Sequence, residues 1–108
     1  MDLNVIDMAF FKAGPAKVLP EGKMMEVDAE GHNLLVANLG GTYYAIGNVC
    51  THMGCHLSQG RIDEQNVICP CHGSTFDLKT GQLVKGPARK PEPSYPVTIE
   101  DGEVIIGI

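Results

Sequence analysis

A chain of 108 residues holds one domain with a modest core and is too short for two. A net charge of -5, from 13 acids and 8 bases, leaves no basic stripe for a nucleic acid, and 44% hydrophobic residues without tryptophan suit a globular protein. No run approaches the roughly 18 apolar residues of a membrane-spanning helix, and MDLNVIDMAFFKAGPAK has acids where a secretory leader carries bases.

The expected compartment is therefore the cytoplasm, where clustered cysteines and histidines favour metal or redox chemistry over a disulfide framework. The elements read as all-β, with frequent turn signals and no long helical periodicity. Met25, Val27 and Ala29 alternate with Glu26, Asp28 and Glu30, so one face meets a core and the other water. Glu30-Gly31 turns the chain into an apolar strand, His32 to Leu39, and Gly40-Gly41 turns it again into Thr42 to Ile46. Arg61-Ile62 and Val67-Ile68 flank a polar turn, and Ser74 to Leu78 forms a further strand. Pro87, Pro91, Pro93 and Pro96 make Gly86 to Pro96 a stiff, irregular segment. Val97 to Glu100 and Glu103 to Ile106 close the chain as a hairpin around Asp101-Gly102.

All four cysteines and three of the four histidines fall in CTHMGCHLSQG, positions 50 to 60, and ICPCHGSTF, positions 68 to 76. The ligand-capable pattern is Cys50-x-His52, a gap of sixteen residues, then Cys69-x-x-His72. Two thiolates and two imidazoles gathered by neighbouring loops suit either a tetrahedral zinc ion or a two-iron two-sulfur cluster. Zinc knuckles usually open with two to four residues between ligands. The single residue between Cys50 and His52 serves two adjacent irons more comfortably than one small ion.

CTHMGC and CPCHGSTFD resemble the two cluster boxes of Rieske iron-sulfur proteins. The resemblance extends over most of the chain, through LPEG at 19 to 22, YYAIGNVCTH at 43 to 52, FDLKTGQ at 76 to 82, GPA at 86 to 88 and the final DGEV. It implies a single domain, 1 to 108, with an antiparallel β-sandwich or partly open barrel as its base. The base would comprise about residues 1 to 46 and 77 to 108, with two hairpin loops, about 47 to 76, as a small cluster-binding subdomain. It implies one 2Fe-2S cluster, with Cys50 and Cys69 on the inner iron and His52 and His72 on the outer. Imidazole in place of thiolate removes negative charge and raises the potential above that of all-cysteine clusters. Because reduction opposes loss of the remaining ring proton, the potential is expected to fall as pH rises.

Cys55 and Cys71 match the disulfide that joins the loops in Rieske proteins of respiratory and photosynthetic cytochrome complexes, which many Rieske ferredoxins lack. The plain alternative is two thiols kept reduced. Ser74 falls where family members of higher potential place a hydroxyl on a cluster sulfide. Phe76 replaces the tyrosine that bonds a ligand cysteine sulfur in those proteins. Phe76→Tyr is expected to raise the potential by tens of millivolts and Ser74→Ala to lower it, as voltammetry would show. A hydrogen bond to a charged group contributes about 1.5–3 kcal/mol, and about 1.4 kcal/mol corresponds to about 59 mV for one electron; only the difference between redox states counts.

Met53 and Pro87 are candidates for an apolar docking rim, with packing over the cluster as the alternative. His56 reads as a surface histidine, His32 as a strand residue without a functional role, and Tyr43, Tyr44 and Tyr95 as core and sheet residues. Lys85, Arg89 and Lys90 read first as a solvated charge run, with steering of an acidic reductase as the functional alternative.

The resemblance thus implies a soluble one-electron carrier and not an enzyme. It would dock transiently, at its His52/His72 edge, with a reductase and with a terminal acceptor such as an oxygenase or respiratory component. An oxygenase fragment would need a mononuclear iron held by two histidines and a carboxylate, and only His32 and His56 remain for it. The domain of a membrane-bound cytochrome-complex subunit is the other redox alternative, against which the sequence shows no anchor helix after Met1. A structural zinc module is more remote.

Overall fold

The computed structural model describes residues 9 to 108. The first part of the N-terminal reading, and the start of the base expected from residue 1, lie outside them. Eleven strands form three antiparallel sheets, with only two single-turn 3₁₀ segments, Ala16–Val18 and Leu57–Gln59, among the described residues. No helix there is long and apolar enough to cross a membrane. The sheets stay open, so the architecture is a layered sandwich and not a closed barrel.

The middle sheet takes its order from three hairpin-connected strands, β2 (Met24–Ala29), β3 (His32–Leu39) and β4 (Thr42–Gly47), with the short β9 (Ser94–Tyr95) added at its edge. Glu30 and Gly31 have φ of 52° and 88°, and Gly40 and Gly41 have 64° and 94°. Positive φ at both turn positions matches the twist of tightly connected strands, and glycine fills three of these four positions with Glu30 the fourth.

The middle of β3, Leu34 to Ala37, is apolar because water reaches neither face there. Leu34 and Val36 pack with Val27, Ala29, Ala45, Val104 and Ile106 on one side. Leu35 and Ala37 pack with Ile46, Leu57, Val67, Phe76 and Leu78 on the other. The first of these cores is roofed by β1 (Phe10–Pro15), β11 (Glu103–Gly107) and β10 (Val97–Glu100), in the order β1-β11-β10. The second is covered by β5 (Arg61–Asp63), β6 (Asn66–Ile68), β7 (Thr75–Asp77) and β8 (Leu83–Lys85), paired in sequence. This third sheet carries the cysteine loops. Its last strand, Leu83–Lys85, pairs with β7.

Candidate metal centre

The two cysteine loops share one backbone plan. In the first, the Cys50 amide donates to the Cys55 carbonyl at 2.8 Å, and the Gly54 amide donates to the Cys50 carbonyl at 2.9 Å. In the second, the Cys69 amide donates to the Ser74 carbonyl at 2.8 Å, and the Gly73 amide to the Cys69 carbonyl at 3.2 Å. Each loop therefore folds back on its own cysteine and reverses through a glycine, Gly54 with φ 81° or Gly73 with φ 82°. The histidine stands two places after the cysteine in one loop and three in the other. The rings of His52 and His72 converge from the two sides, their centroids 5.1 Å apart and their planes at 83°.

Depth separates the donors into two kinds. The Cys50 and Cys69 thiols are free and buried, 3% and 4% exposed, beneath the exposed imidazoles. Burial pushes the Cys50 thiol up and the Cys69 thiol beside it adds to this, while the backbone N–H groups of His52 and Met53 oppose it. A bound cation would reverse the effect of burial and hold the thiolate form.

Cys55 and Cys71 are joined as a disulfide that ties the loops together across a sequence separation of 16. The sulfurs of Cys55, Cys69 and Cys71 lie within 4.8 Å of one another, but with two of the three bonded together this is part of the same centre and not a second metal site. Double replacement by serine, Cys55→Ser with Cys71→Ser, is expected to cost ~3 kcal/mol, the usual entropic contribution for a loop of this size. Thermal unfolding followed at the visible absorption of the loaded protein would show it. Chemical reduction of the pair should strip metal faster than the serine substitutions do, because it frees rival thiolates beside Cys69.

The segment after β8 is strapped to both loops. The Thr51 hydroxyl donates to the Lys90 carbonyl at 2.7 Å, and the Ala88 amide donates to Ser74 Oγ at 2.9 Å. Ser74 is fully buried, and accepting this bond leaves its own hydroxyl proton to be donated elsewhere. Phe76 is also fully buried, in the core beneath the loops. Met53 is 65% exposed beside His52, and Pro87 is exposed on the rim of the groove that His52 lines.

Three contributors were not anticipated. Asn48, fully buried, donates to Asn33 Oδ1 at 2.8 Å and accepts from the Ser58 amide at 2.8 Å, so it locks the exit of the first loop to the middle sheet. A polar residue closing the apolar run of β4 was its only signal. Gly60 and Glu92 carried none that could be read without the fold. His56 is half-buried with its Nδ1 3.3 Å from Glu26 Oε2, outside the converging donors. His32 lies at the far start of β3 near Tyr95, 6.3 Å between rings.

An open antiparallel sandwich that holds buried thiols under paired imidazoles on two matched loops defines a class of mixed cysteine-histidine metalloprotein. A sequence model of the Rieske [2Fe-2S] domain matches residues 9–96, and the chain belongs to that family. It is 36% identical over 97 residues to the 3-phenylpropionate/cinnamic acid dioxygenase ferredoxin subunit of Escherichia coli (strain K12), a span of 89% of this chain and 91% of that one. The solved structure of the Sphingomonas yanoikuyae B1 ferredoxin superposes with a TM-score of 0.86 at 34% identity, covering 93% of this chain and 99% of that one. A chain in the complex of reduced oxygenase and oxidized ferredoxin in carbazole 1,9a-dioxygenase superposes at 0.85 with 31% identity, covering 90% and 91%. The protein is accordingly an electron carrier and not itself a catalyst, and its cofactor is a Rieske-type 2Fe-2S cluster. Two buried thiols in mutual contact and two converging imidazoles are a donor set that fits that cluster.

Proposed function

We propose that Cys50 and Cys69 hold one iron of the cluster and His52 and His72 the other. On this reading the chain is the cytoplasmic ferredoxin component of a multicomponent dioxygenase, carrying electrons from a reductase to a terminal oxygenase. The observation that carries the proposal is the sorting of donors by depth: thiols sealed under the loops, imidazoles at the surface. When bound, the cluster takes up and releases one electron. The residues of the chain do the rest. The exposed imidazoles give the electron a short way out, the disulfide keeps the loops from separating, and the buried second core excludes water from the thiol side. The third sheet with its loops acts as a cluster-binding unit seated on the middle sheet. Relatives named as dioxygenase ferredoxin subunits support the choice of acceptor.

Electron paramagnetic resonance after dithionite reduction, with iron, sulfide and zinc assays, tests the ligand set. A rhombic signal of low average g value, with two irons and two sulfides per chain, is expected. One zinc per chain and a silent spectrum would defeat the proposal. Ser74→Ala should lower the potential and also the stability, by ~1–3 kcal/mol, because the buried Ala88 amide loses its acceptor. A lowered potential with unchanged unfolding would mean that the Ala88 bond is dispensable.

A further inference from the structure

The chain is acidic as a whole, yet the segments at one end of it carry no acid of their own, and Glu26 of β2 meets them at His56, 3.3 Å away. None of the 13 acidic residues falls in 47 to 60, 67 to 76 or 82 to 91, the three segments that build the loops and the strap across them. The same segments carry Lys85, Arg89 and Lys90, all exposed and, among the described residues, in no ion pair. The acid nearest to Lys90 in sequence, Glu92, is buried, 5% exposed, behind the strap. Arg89 and Lys90 line, with Thr51, His52 and Pro87, an open groove of about 480 Å³. The Thr51–Lys90 hydrogen bond fixes this basic wall to the loop that bears His52. The first loop also exposes the apolar side chains of Met53 and Val49, 65% and 44% exposed. An apolar centre with a charged rim is the anatomy of a transient interface.

We propose that this tip is the docking face for an acidic surface around the cofactor edge of the electron-transfer partner, with Arg89 and Lys90 as the steering pair and Lys85 reinforcing them. The inference deepens the electron-carrier reading and rests on it. Charge accounting at the centre agrees with the sign. Two ferric irons, two sulfides, two thiolates and two neutral imidazoles sum to zero, and reduction adds one negative charge. The basic rim therefore sets the local potential in both redox states. A ring of fixed charge accelerates encounter with the opposite sign and repels the same sign, whatever the net charge of the molecule.

The test mixes reduced, cluster-loaded protein in a stopped-flow with hexacyanoferrate(III), an anionic one-electron oxidant, and separately with tris(phenanthroline)cobalt(III), a cationic one, over a range of NaCl. Each encounter moves one electron from the cluster to the complex and breaks no bond. Hexacyanoferrate oxidation is expected to slow as salt rises and cobalt oxidation to quicken, the opposite of what a net charge of -5 alone dictates. Arg89→Glu with Lys90→Glu should slow hexacyanoferrate about tenfold at low salt and invert its salt dependence, with the resonance spectrum unchanged. Hexacyanoferrate oxidation that quickens with salt in the native protein would overturn the proposal and make the occupant a basic surface. Indifference of both rates to the double substitution would overturn it as well. A preparation without the Rieske resonance would instead remove the electron-carrier reading beneath it.

Discussion

Gly60→Ala is expected to destabilise the protein by roughly 3 kcal/mol or more and to deplete it of cluster. Gly60 ends the 3₁₀ turn Leu57–Gln59, with its amide on the Leu57 carbonyl at 2.9 Å, and leads into β5. A methyl group there would collide with the backbone carbonyl of Ile68, the last residue of β6 and the one before Cys69. The exit of the first loop is thus pressed against the entrance of the second. A carbonyl cannot rotate aside as a side chain can, so one strand must shift, and both strands lead to a donor cysteine. Gly54→Ala is the control. Its φ of 81° makes alanine strained by about 1 kcal/mol, but nothing lies within 4 Å of the added methyl. Thermal unfolding and iron content of the two variants, measured side by side, separate close approach from backbone strain. Equal losses in the two would mean that the contact with Ile68 is not what requires glycine at position 60.

Gly60 also shows where sequence reading stops. The paired-glycine and Asp-Gly turns are legible because positive φ at two successive positions is a local demand that few residues meet. The four metal donors are legible because cysteine and histidine are scarce and carry their chemistry with them. The apolar run of β3 announces burial on both faces. Contacts made across the chain leave no such mark. β1 pairs with β11 at the opposite end of the sequence, and its FFKAGP stretch is interrupted by a register shift between Lys12 and Gly14, so neither alternation nor a partner could be read. β8 and β9, at three and two residues, are strands only because β7 and β4 accept them. Gly60 has an ordinary φ, and only the carbonyl opposite explains it. The donor set could be read, but the sorting of thiols inward and imidazoles outward could not. That sorting comes from the matched loop hydrogen bonds and from the strap of residues 85 to 90.

Glu92 lies just beyond that strap, and its replacement by glutamine is expected to stabilise the protein at alkaline pH while leaving it unchanged in acid. Among the described residues, Glu92 Oε2 is the one buried side-chain oxygen or nitrogen without a hydrogen-bond partner. Its neighbours offer little. Gly47 is held so close that any side chain there would strike the carboxyl; the Glu92 amide is spent on the Gly81 carbonyl at 2.9 Å. Gly47, Thr51 and Gly81 bring no titratable group toward it. Burial therefore raises the carboxyl to about 7, with the Thr51 backbone N–H acting in the opposite sense. In the unfolded chain the same group titrates near 4.5. Between these values the folded state holds a proton that the unfolded state has lost, so stability falls as pH rises through the window. Below it both states are protonated and nothing is lost; above it the fold contains a buried carboxylate at a penalty on the order of 3 kcal/mol. Glutamine keeps the shape and stays neutral. Denaturant unfolding of the loaded protein from pH 4 to pH 8.5 should give curves that nearly coincide at the acid end, separate as pH rises from about 4.5 to about 7 and stay apart above it, with Glu92→Gln the more stable. Taking the difference between the two proteins cancels the pH dependence of the metal centre, which they share. Parallel curves across the range would show that the carboxyl finds water or a proton-independent partner behind the strap.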